Sequence, residues 1–193
     1  HRYNRSDSRH ESYPMTLQED YRALREGAVI ADIAPRRQIA LSGRDRASYL
    51  HGLLTNEIQG LAPGTGCYAG WLTAQGRMLT DMHVFQSADM TLLDVPEAQT
   101  DAIVERLNQF VFSEDVQISS LSQALAAVGV HGPKAVALLE PALAGASGAD
   151  GSLSGLAGWQ QYQHARGTLQ GVPIGIARID QLGVPGFTLH VSR

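Results

Sequence analysis

One carboxylate stands inside an apolar stretch of this sequence that is otherwise uncharged. It is Asp81, within Met78-Leu79-Thr80-Asp81-Met82-His83-Val84-Phe85. A carboxylate that faces an apolar core is costly, whereas one that lines a pocket can exchange a proton with a bound ligand. The alternative, which the residues alone favour, places Asp81 on the solvated face of a half-buried strand. Asp81 is therefore the candidate catalytic residue, and both interpretations stay open.

The other reactive side chains indicate ordinary structural roles. The chain has a single cysteine, Cys67, so it forms no intramolecular disulfide or multi-cysteine metal site, and we predict a buried thiol. No histidine pairs with a second histidine or an acid at metal-ligand spacing, so we predict no metal site. Walker, dinucleotide-glycine and Gly-x-Ser-x-Gly motifs are absent. We expect Trp71 and Trp159 to be core residues.

Composition excludes several classes of protein. The 193 residues are 44% hydrophobic and 18% charged, as is typical of a globular protein, and they allow one large core or two small domains. The net charge of −4 argues against a general nucleic-acid binder. The apolar runs are too short to span a bilayer, and the first residues lack an apolar signal core. We therefore expect a cytoplasmic protein with no nucleic-acid or membrane partner.

The elements that position Asp81 are two strands joined by a glycine-containing turn, 67–73 and 78–85. Thr16-Leu17-Gln18-Glu19 predicts a capping box that opens a helix ending near Gly27. The remaining patterns predict helices after Ser42-Gly43, after Pro96 and after Pro133, and strands at 37–41, 90–95, 116–118, 124–130, 159–164, 172–179 and 187–191. Because helices and hairpins mix without βαβ alternation, the predicted class is α+β.

Four segments, in register, resemble a folate-binding family. They are Gly27 to Ile33 followed by Ile39 to Gly43, then Leu50 to Glu57, then Tyr68 to Phe85, and finally Val130 to Ala135. The chain is similar, from about Thr16 onward, to the family of the glycine-cleavage T-protein, an aminomethyltransferase, and its YgfZ-type relatives. Members of that family are longer, so we expect this chain to correspond to their N-terminal part.

The resemblance implies a T-protein-like fold, in which a ferredoxin-like α+β domain is inserted into a second mixed domain. We expect a flexible arm at residues 1–15. Residues 16–44 and 123–193 are expected to form the discontinuous first domain, and residues 45–122 the inserted domain.

The resemblance also implies a tetrahydrofolate pocket beside the insertion. In the T-protein the strand aspartate acts as the acid or base and orients the ammonium group, and this residue falls on Asp81. Tyr68 falls on a family tyrosine near the pocket. We therefore predict that Tyr68, Asp81, Asp94 and Arg178 bind the folate cofactor.

Departures from the T-protein pattern favour the YgfZ-type branch. Both glutamates of the T-protein's pterin-binding run are missing, with Val184 and Thr188 in their places, and Asp94 stands where T-proteins have asparagine. The expected function is folate binding in support of one-carbon metabolism or iron–sulfur enzymes, with an iron–sulfur client protein as a second partner. The alternatives are a tetrahydrofolate-dependent aminomethyl or methyl transferase or demethylase, and a non-catalytic interaction domain. Whether the chain is an enzyme is left open by the sequence.

Overall fold

Two antiparallel sheets and four α-helices make up the part of the chain described by a computed structural model, residues 16–31, 36–121, 125–149 and 151–192. The predicted arm at 1–15 lies outside these residues. The helices are α1 (Leu17–Glu26), α2 (Arg46–Leu53), α3 (Thr100–Gln109) and α4 (Ala135–Ala142), with short 3₁₀ turns at Glu97–Gln99 and Leu156–Gly158. The predicted α+β class is confirmed. None of the described helices is both long and apolar enough to cross a membrane.

The first sheet has six strands in the order β1-β7-β11-β10-β9-β8, and the second has five in the order β3-β4-β5-β2-β6. The first consists of β1 (Val29–Ala31), β7 (Leu125–His131), β8 (Ser147–Gly148), β9 (His164–Leu169), β10 (Val172–Arg178) and β11 (Gly186–Ser192). The second consists of β2 (Arg36–Ser42), β3 (Thr65–Leu72), β4 (Met78–Gln86), β5 (Thr91–Pro96) and β6 (Gln117–Ser120).

The chain crosses between the sheets at two places. β1 belongs to the six-stranded sheet, whereas β2 pairs with β5 and β6 in the five-stranded sheet. The first crossing therefore lies between Ala31 and Arg36, and the second between Ser120 and Leu125. The division into domains itself stays a prediction.

Local sequence signals explain how most elements begin. The capping box at α1 is present: the Thr16 backbone N–H donates to Glu19 Oε2 at 2.8 Å, and the Glu19 N–H donates to the Thr16 hydroxyl. One predicted strand is wrong, since β9 begins at His164 and residues 160–163 form a turn. In that turn Tyr162 has a left-handed backbone, φ 65°, which no strand accommodates.

The alternation of side chains in the five-stranded sheet separates an apolar face from a polar face. On β2 the apolar residues Ile39 and Leu41 are fully buried in the core beneath α2 and α3, whereas Arg36 and Gln38 point to the opposite face. Cys67 and Trp71 lie in the same core, as predicted for both. The polar face is turned toward the six-stranded sheet, and the candidate functional residues lie on it.

A buried histidine predicts acid sensitivity of the fold. His131 is 0% exposed, and neither ring nitrogen has a hydrogen-bond partner among the described residues. Burial lowers the pKa of His131, although the charge of Asp180 acts in the opposite direction. Below about pH 6.5, the ordinary histidine pKa, the unfolded chain therefore binds more protons than the folded chain, so the stability present above that pH is lost as pH falls.

We expect the free energy of unfolding in urea to fall between pH 7.5 and 5.5, with a slope from His131 of at most about 1.4 kcal/mol per pH unit. The His131→Leu variant should have a smaller slope, because the titrating group is gone. An identical slope in His131→Leu and wild type would contradict this assignment.

Candidate functional site

A single row of polar side chains crosses four strands of the five-stranded sheet. Strand register places Tyr68 on β3 opposite His83 on β4, His83 opposite Asp94 on β5, and Asp94 opposite Gln38 on β2. Residues opposite each other on one face of an antiparallel sheet are close enough for direct contact. Two of the predicted site residues, Tyr68 and Asp94, therefore lie in one row, and Asp81 lies two residues before His83 on the same face of β4.

Asp94 is the hydrogen-bonding centre of this row. It is 3% exposed, and its Oδ2 accepts from Arg36 Nε at 2.7 Å and from His83 Nδ1 at 3.0 Å. Its Oδ1 accepts from Gln38 Nε2 at 2.9 Å. Burial opposes ionisation of Asp94, but the hydrogen bond from His83 and the charge of Arg36 outweigh it, so the pKa of Asp94 lies below its ordinary value. Asp94 is therefore an ionised, structurally bonded carboxylate.

The ionised Asp94 fixes the protonation of both neighbouring histidines. Since a carboxylate only accepts, His83 Nδ1 carries a proton and donates it to Asp94. Gln38 Nε2 donates one hydrogen to Asp94 and lies 2.7 Å from His190 Nε2, which must therefore accept. Burial lowers the pKa of His190 against the opposing charge of Asp94, consistent with a neutral acceptor ring. The same amide of Gln38 thus links the two sheets.

Asp81 is the more open of the two carboxylates. Its side chain is 37% exposed, and its Oδ2 lies 3.6 Å from Arg36 Nη1, an ion pair rather than a hydrogen bond. The guanidinium of Arg36 is anchored from the other side by Asp94, through Nε and through Nη2, which donates to the backbone carbonyl of Asp94 at 2.6 Å. Arg36 therefore bridges the buried carboxylate of Asp94 and the more exposed carboxylate of Asp81.

Three aromatic rings, those of Tyr68, His83 and Tyr162, lie together on this face. Tyr68 is 44% exposed and its ring centre lies 5.9 Å from that of His83, and the ring centre of Tyr162 lies 5.7 Å from that of His83. Burial of the phenol, followed by the charge of Asp81 and its hydrogen bonding with the phenol, raises the pKa of Tyr68. The left-handed backbone of Tyr162 is a strained arrangement of the kind that clusters at ligand sites.

Arg178 does not join this group. It lies on β10 of the six-stranded sheet, where its Nη2 contacts Asp180 Oδ2 at 3.1 Å and its Nη1 donates to the backbone carbonyl of Trp159. Its guanidinium is thus occupied by partners of its own sheet. The structure therefore brings together three of the four predicted site residues, Tyr68, Asp81 and Asp94, and their roles stay predictions.

The segment 182–188, which corresponds to the pterin-binding run of T-proteins, contains no carboxylate in place of the two missing glutamates. Val184 is 7% exposed in the connection between β10 and β11, and Thr188 is 5% exposed on β11.

Cys67 contributes no reactive thiol to the site, because burial raises its pKa to about 11. Within the described ranges, no group of three or more histidine, cysteine or acidic residues is arranged to hold a metal ion.

The sequence analysis misses four members of the site: Arg36, Gln38, His83 and Tyr162. Arg36 and Gln38 are two residues apart on a strand whose alternate residues are apolar, and this period-two signal places them on one face. The same alternation places His83 with Asp81 on β4. Tyr162 carries no comparable signal, since its position depends on a turn.

With this geometry in view, comparison with known proteins defines the class. A model of the family described as the GCVT N-terminal domain matches residues 2–193, and the chain belongs to this family. The aminomethyltransferase of Streptomyces avermitilis is 29% identical over 179 residues, which cover 90% of this chain and 45% of that protein. The aminomethyltransferase of Bacillus subtilis is 28% identical over 126 residues, covering 65% of this chain and 34% of that protein.

The fold has a clear counterpart among solved structures. The glycine cleavage system aminomethyltransferase T of Bartonella henselae superposes with a TM-score of 0.77 at 21% identity, covering 92% of this chain and 45% of that one. The chain thus has the T-protein-like fold, as predicted. It also spans less than half the length of these relatives.

Proposed function

We propose that this chain is the folate-binding part of a protein of the aminomethyltransferase-like superfamily, with tetrahydrofolate bound against the polar face. The observation that carries the proposal is the open carboxylate of Asp81, at the position of the family's strand aspartate, between the charge of Arg36 and the phenol of Tyr68. A partly exposed carboxylate that lies beside an arginine and a tyrosine of raised pKa is a candidate ligand site.

The surrounding side chains suit such a ligand. A pteridine is a flat ring, and Tyr68 and Tyr162, both close to His83, offer flat apolar surfaces. In this proposal the one-carbon end of the folate lies beside Asp81, whose carboxylate accepts a hydrogen bond from a ligand N–H. Without carboxylates at Val184 and Thr188, we expect binding to be weaker than in a site that keeps them.

Within the superfamily we place the chain nearer the YgfZ-type branch. Support comes from Asp94, used here as the buried acceptor of three side chains, and from the apolar burial of Val184. On this placement the protein supports one-carbon metabolism or the maintenance of iron–sulfur enzymes, with an iron–sulfur client protein as partner. A complementation assay of iron–sulfur enzyme activity in cells lacking the protein tests this placement.

The second candidate function is tetrahydrofolate-dependent transfer of an aminomethyl or methyl group, with Asp81 as the proton acceptor. It is favoured by the similarity to proteins named aminomethyltransferases. A one-carbon transfer assay with an amine or methyl donor separates it from binding alone. If tetrahydrofolate does not bind at all, the remaining interpretation is a non-catalytic interaction domain that kept the fold.

The variant Asp81→Asn tests the proposed site. We expect the dissociation constant for tetrahydrofolate to rise roughly 10- to 100-fold, since one charge-assisted hydrogen bond is lost. The free energy of unfolding should change by less than about 1 kcal/mol, because Asp81 is partly solvated, its ion pair with Arg36 is long, and its hydrogen bonding is with the half-exposed Tyr68. Calorimetric titration and urea unfolding measure the two quantities.

The control for this experiment is Asp101→Asn, which alters an exposed acid at the start of α3. It should leave both the dissociation constant and the stability unchanged. An unaltered dissociation constant in Asp81→Asn would contradict the site, and a large loss of stability would make Asp81 a structural residue.

A further inference from the structure

The guanidinium of Arg36 is fixed by hydrogen bonds to Asp94, but not all of its N–H donors take part in them. Asp94 accepts from its Nε at 2.7 Å and, through the backbone carbonyl, from its Nη2 at 2.6 Å. The side chain is 17% exposed, so these two contacts fix it in a largely buried position. Its Nη1 makes no hydrogen bond within the described part of the chain and lies 3.6 Å from Asp81 Oδ2. A fixed N–H donor therefore stands beside the open carboxylate.

This arrangement changes what Asp81 can accept as a partner. A carboxylate alone attracts a cationic nitrogen, but Arg36 already supplies a positive charge at ion-pair distance. The other nearby charge, Asp94, is 3% exposed and faces Arg36, His83 and Gln38, so a ligand does not reach it. A ligand that approaches Asp81 therefore meets an unused N–H donor, whose positive charge offsets part of the attraction of Asp81 for a cation.

We propose that Arg36 is a specificity residue of this site, which selects a ligand whose one-carbon group is a neutral hydrogen-bond acceptor over one with a cationic nitrogen. The selected group is a carbonyl, such as a formyl group on the ring nitrogen of a reduced folate, whose oxygen accepts from Arg36 Nη1. This inference rests on the proposed function, since it assumes that the one-carbon end of folate lies beside Asp81.

Two folates of the same shape provide the test. 5-Formyltetrahydrofolate carries a neutral C=O group, and 5-formiminotetrahydrofolate carries a cationic C=NH₂⁺ group in the same place. We expect the wild-type protein to bind the formyl compound at least roughly 10-fold more tightly in calorimetric titration, since one charge-assisted hydrogen bond separates them.

Variants of Arg36 assign that preference to its guanidinium. In Arg36→Met the preference should fall to about threefold or less, because both the donor and the positive charge are removed. Arg36→Lys keeps the charge but not the planar fork, so it should still reject the formimino compound while binding the formyl compound more weakly. The matched control is Arg37→Met, since Arg37 points to the other face of β2 and pairs with Glu97; it should keep the full preference.

The outcomes separate this inference from the proposed function. Tight binding of both folates with a ratio near one in the wild type would overturn the role of Arg36 and leave folate binding intact. If Arg36→Met keeps the preference for the formyl compound, the role of Arg36 is likewise overturned and folate binding is left intact. If Arg36→Met proves unfolded by circular dichroism, the wild-type ratio and Arg36→Lys decide. Absence of binding to any folate would overturn both the inference and the proposed function.

Discussion

Replacement of Asp94 by alanine is expected to destabilise the fold by about 3–5 kcal/mol. The carboxylate is 3% exposed and accepts hydrogen bonds from Arg36, His83 and Gln38. Its loss leaves a buried guanidinium and two polar groups without their acceptor, and removal of one partner from a buried charged network is among the most damaging single changes. Urea unfolding of the purified variant at pH 7.5 measures the effect.

The matched control is Asp81→Ala, which removes the second carboxylate around the same guanidinium. Because Asp81 is 37% exposed and lies 3.6 Å from Arg36, its loss should cost less than about 1 kcal/mol. The pair of variants thus separates a structural aspartate from a functional one. Equal stabilities of Asp94→Ala and Asp81→Ala would refute this division of roles.

Substitution of Gly43 by alanine is the second change with a large expected effect, a loss of about 3 kcal/mol or more. Gly43 has φ +99°, a left-handed conformation that favours glycine, where it connects β2 to α2. An added Cβ would also collide with the backbone carbonyl oxygen of Asp115. The backbone of Asp115 is held beside Gly43 because its N–H donates to Asp45 Oδ2 at 2.8 Å. Backbone atoms cannot rotate away, so the turn itself must move.

Gly76→Ala is the control that isolates the collision. Gly76, in the turn between β3 and β4, has a comparable φ of +78°, but no atom lies within 4 Å of an added Cβ. Its alanine variant should lose only about 1–2 kcal/mol, the cost of the backbone conformation. Thermal or urea unfolding of both variants measures this difference. An equal loss of stability in Gly76→Ala and Gly43→Ala would contradict a collision with Asp115.

Local signals in the sequence predict most elements because those elements depend on neighbouring residues. The Thr16 capping box and the hairpin of β3 and β4 are confirmed, since both depend on hydrogen bonds or turns within a few residues. The strand predicted at 159–164 is wrong, because the left-handed Tyr162 turns the chain there and propensity does not reveal it. Membership of β2 in the five-stranded sheet depends on partners distant in sequence, which period-two alternation does not identify.

The sequence likewise predicts some residues of the candidate site and not others. Asp81 stands out because a charge in an apolar strand is costly, and the resemblance adds Tyr68 and Asp94. Arg36 escapes notice because arginine at a strand end usually faces solvent, and its burial here depends on Asp94, which is far along the chain. Arg178 lies apart from the other predicted residues, since contacts with Asp180 and Trp159 hold its guanidinium beside the six-stranded sheet.

The two crossings between the sheets impose an order on folding. β1 pairs with β7, Val29 opposite His131, although all five strands of the second sheet lie between them in the sequence. Closing so long a loop of unfolded chain is entropically costly, whereas a folded five-stranded sheet brings its own two ends near each other at adjacent strands β2 and β6. We therefore expect the folding nucleus in the five-stranded sheet, and the pairing of β1 with β7 as a late step that follows formation of that sheet.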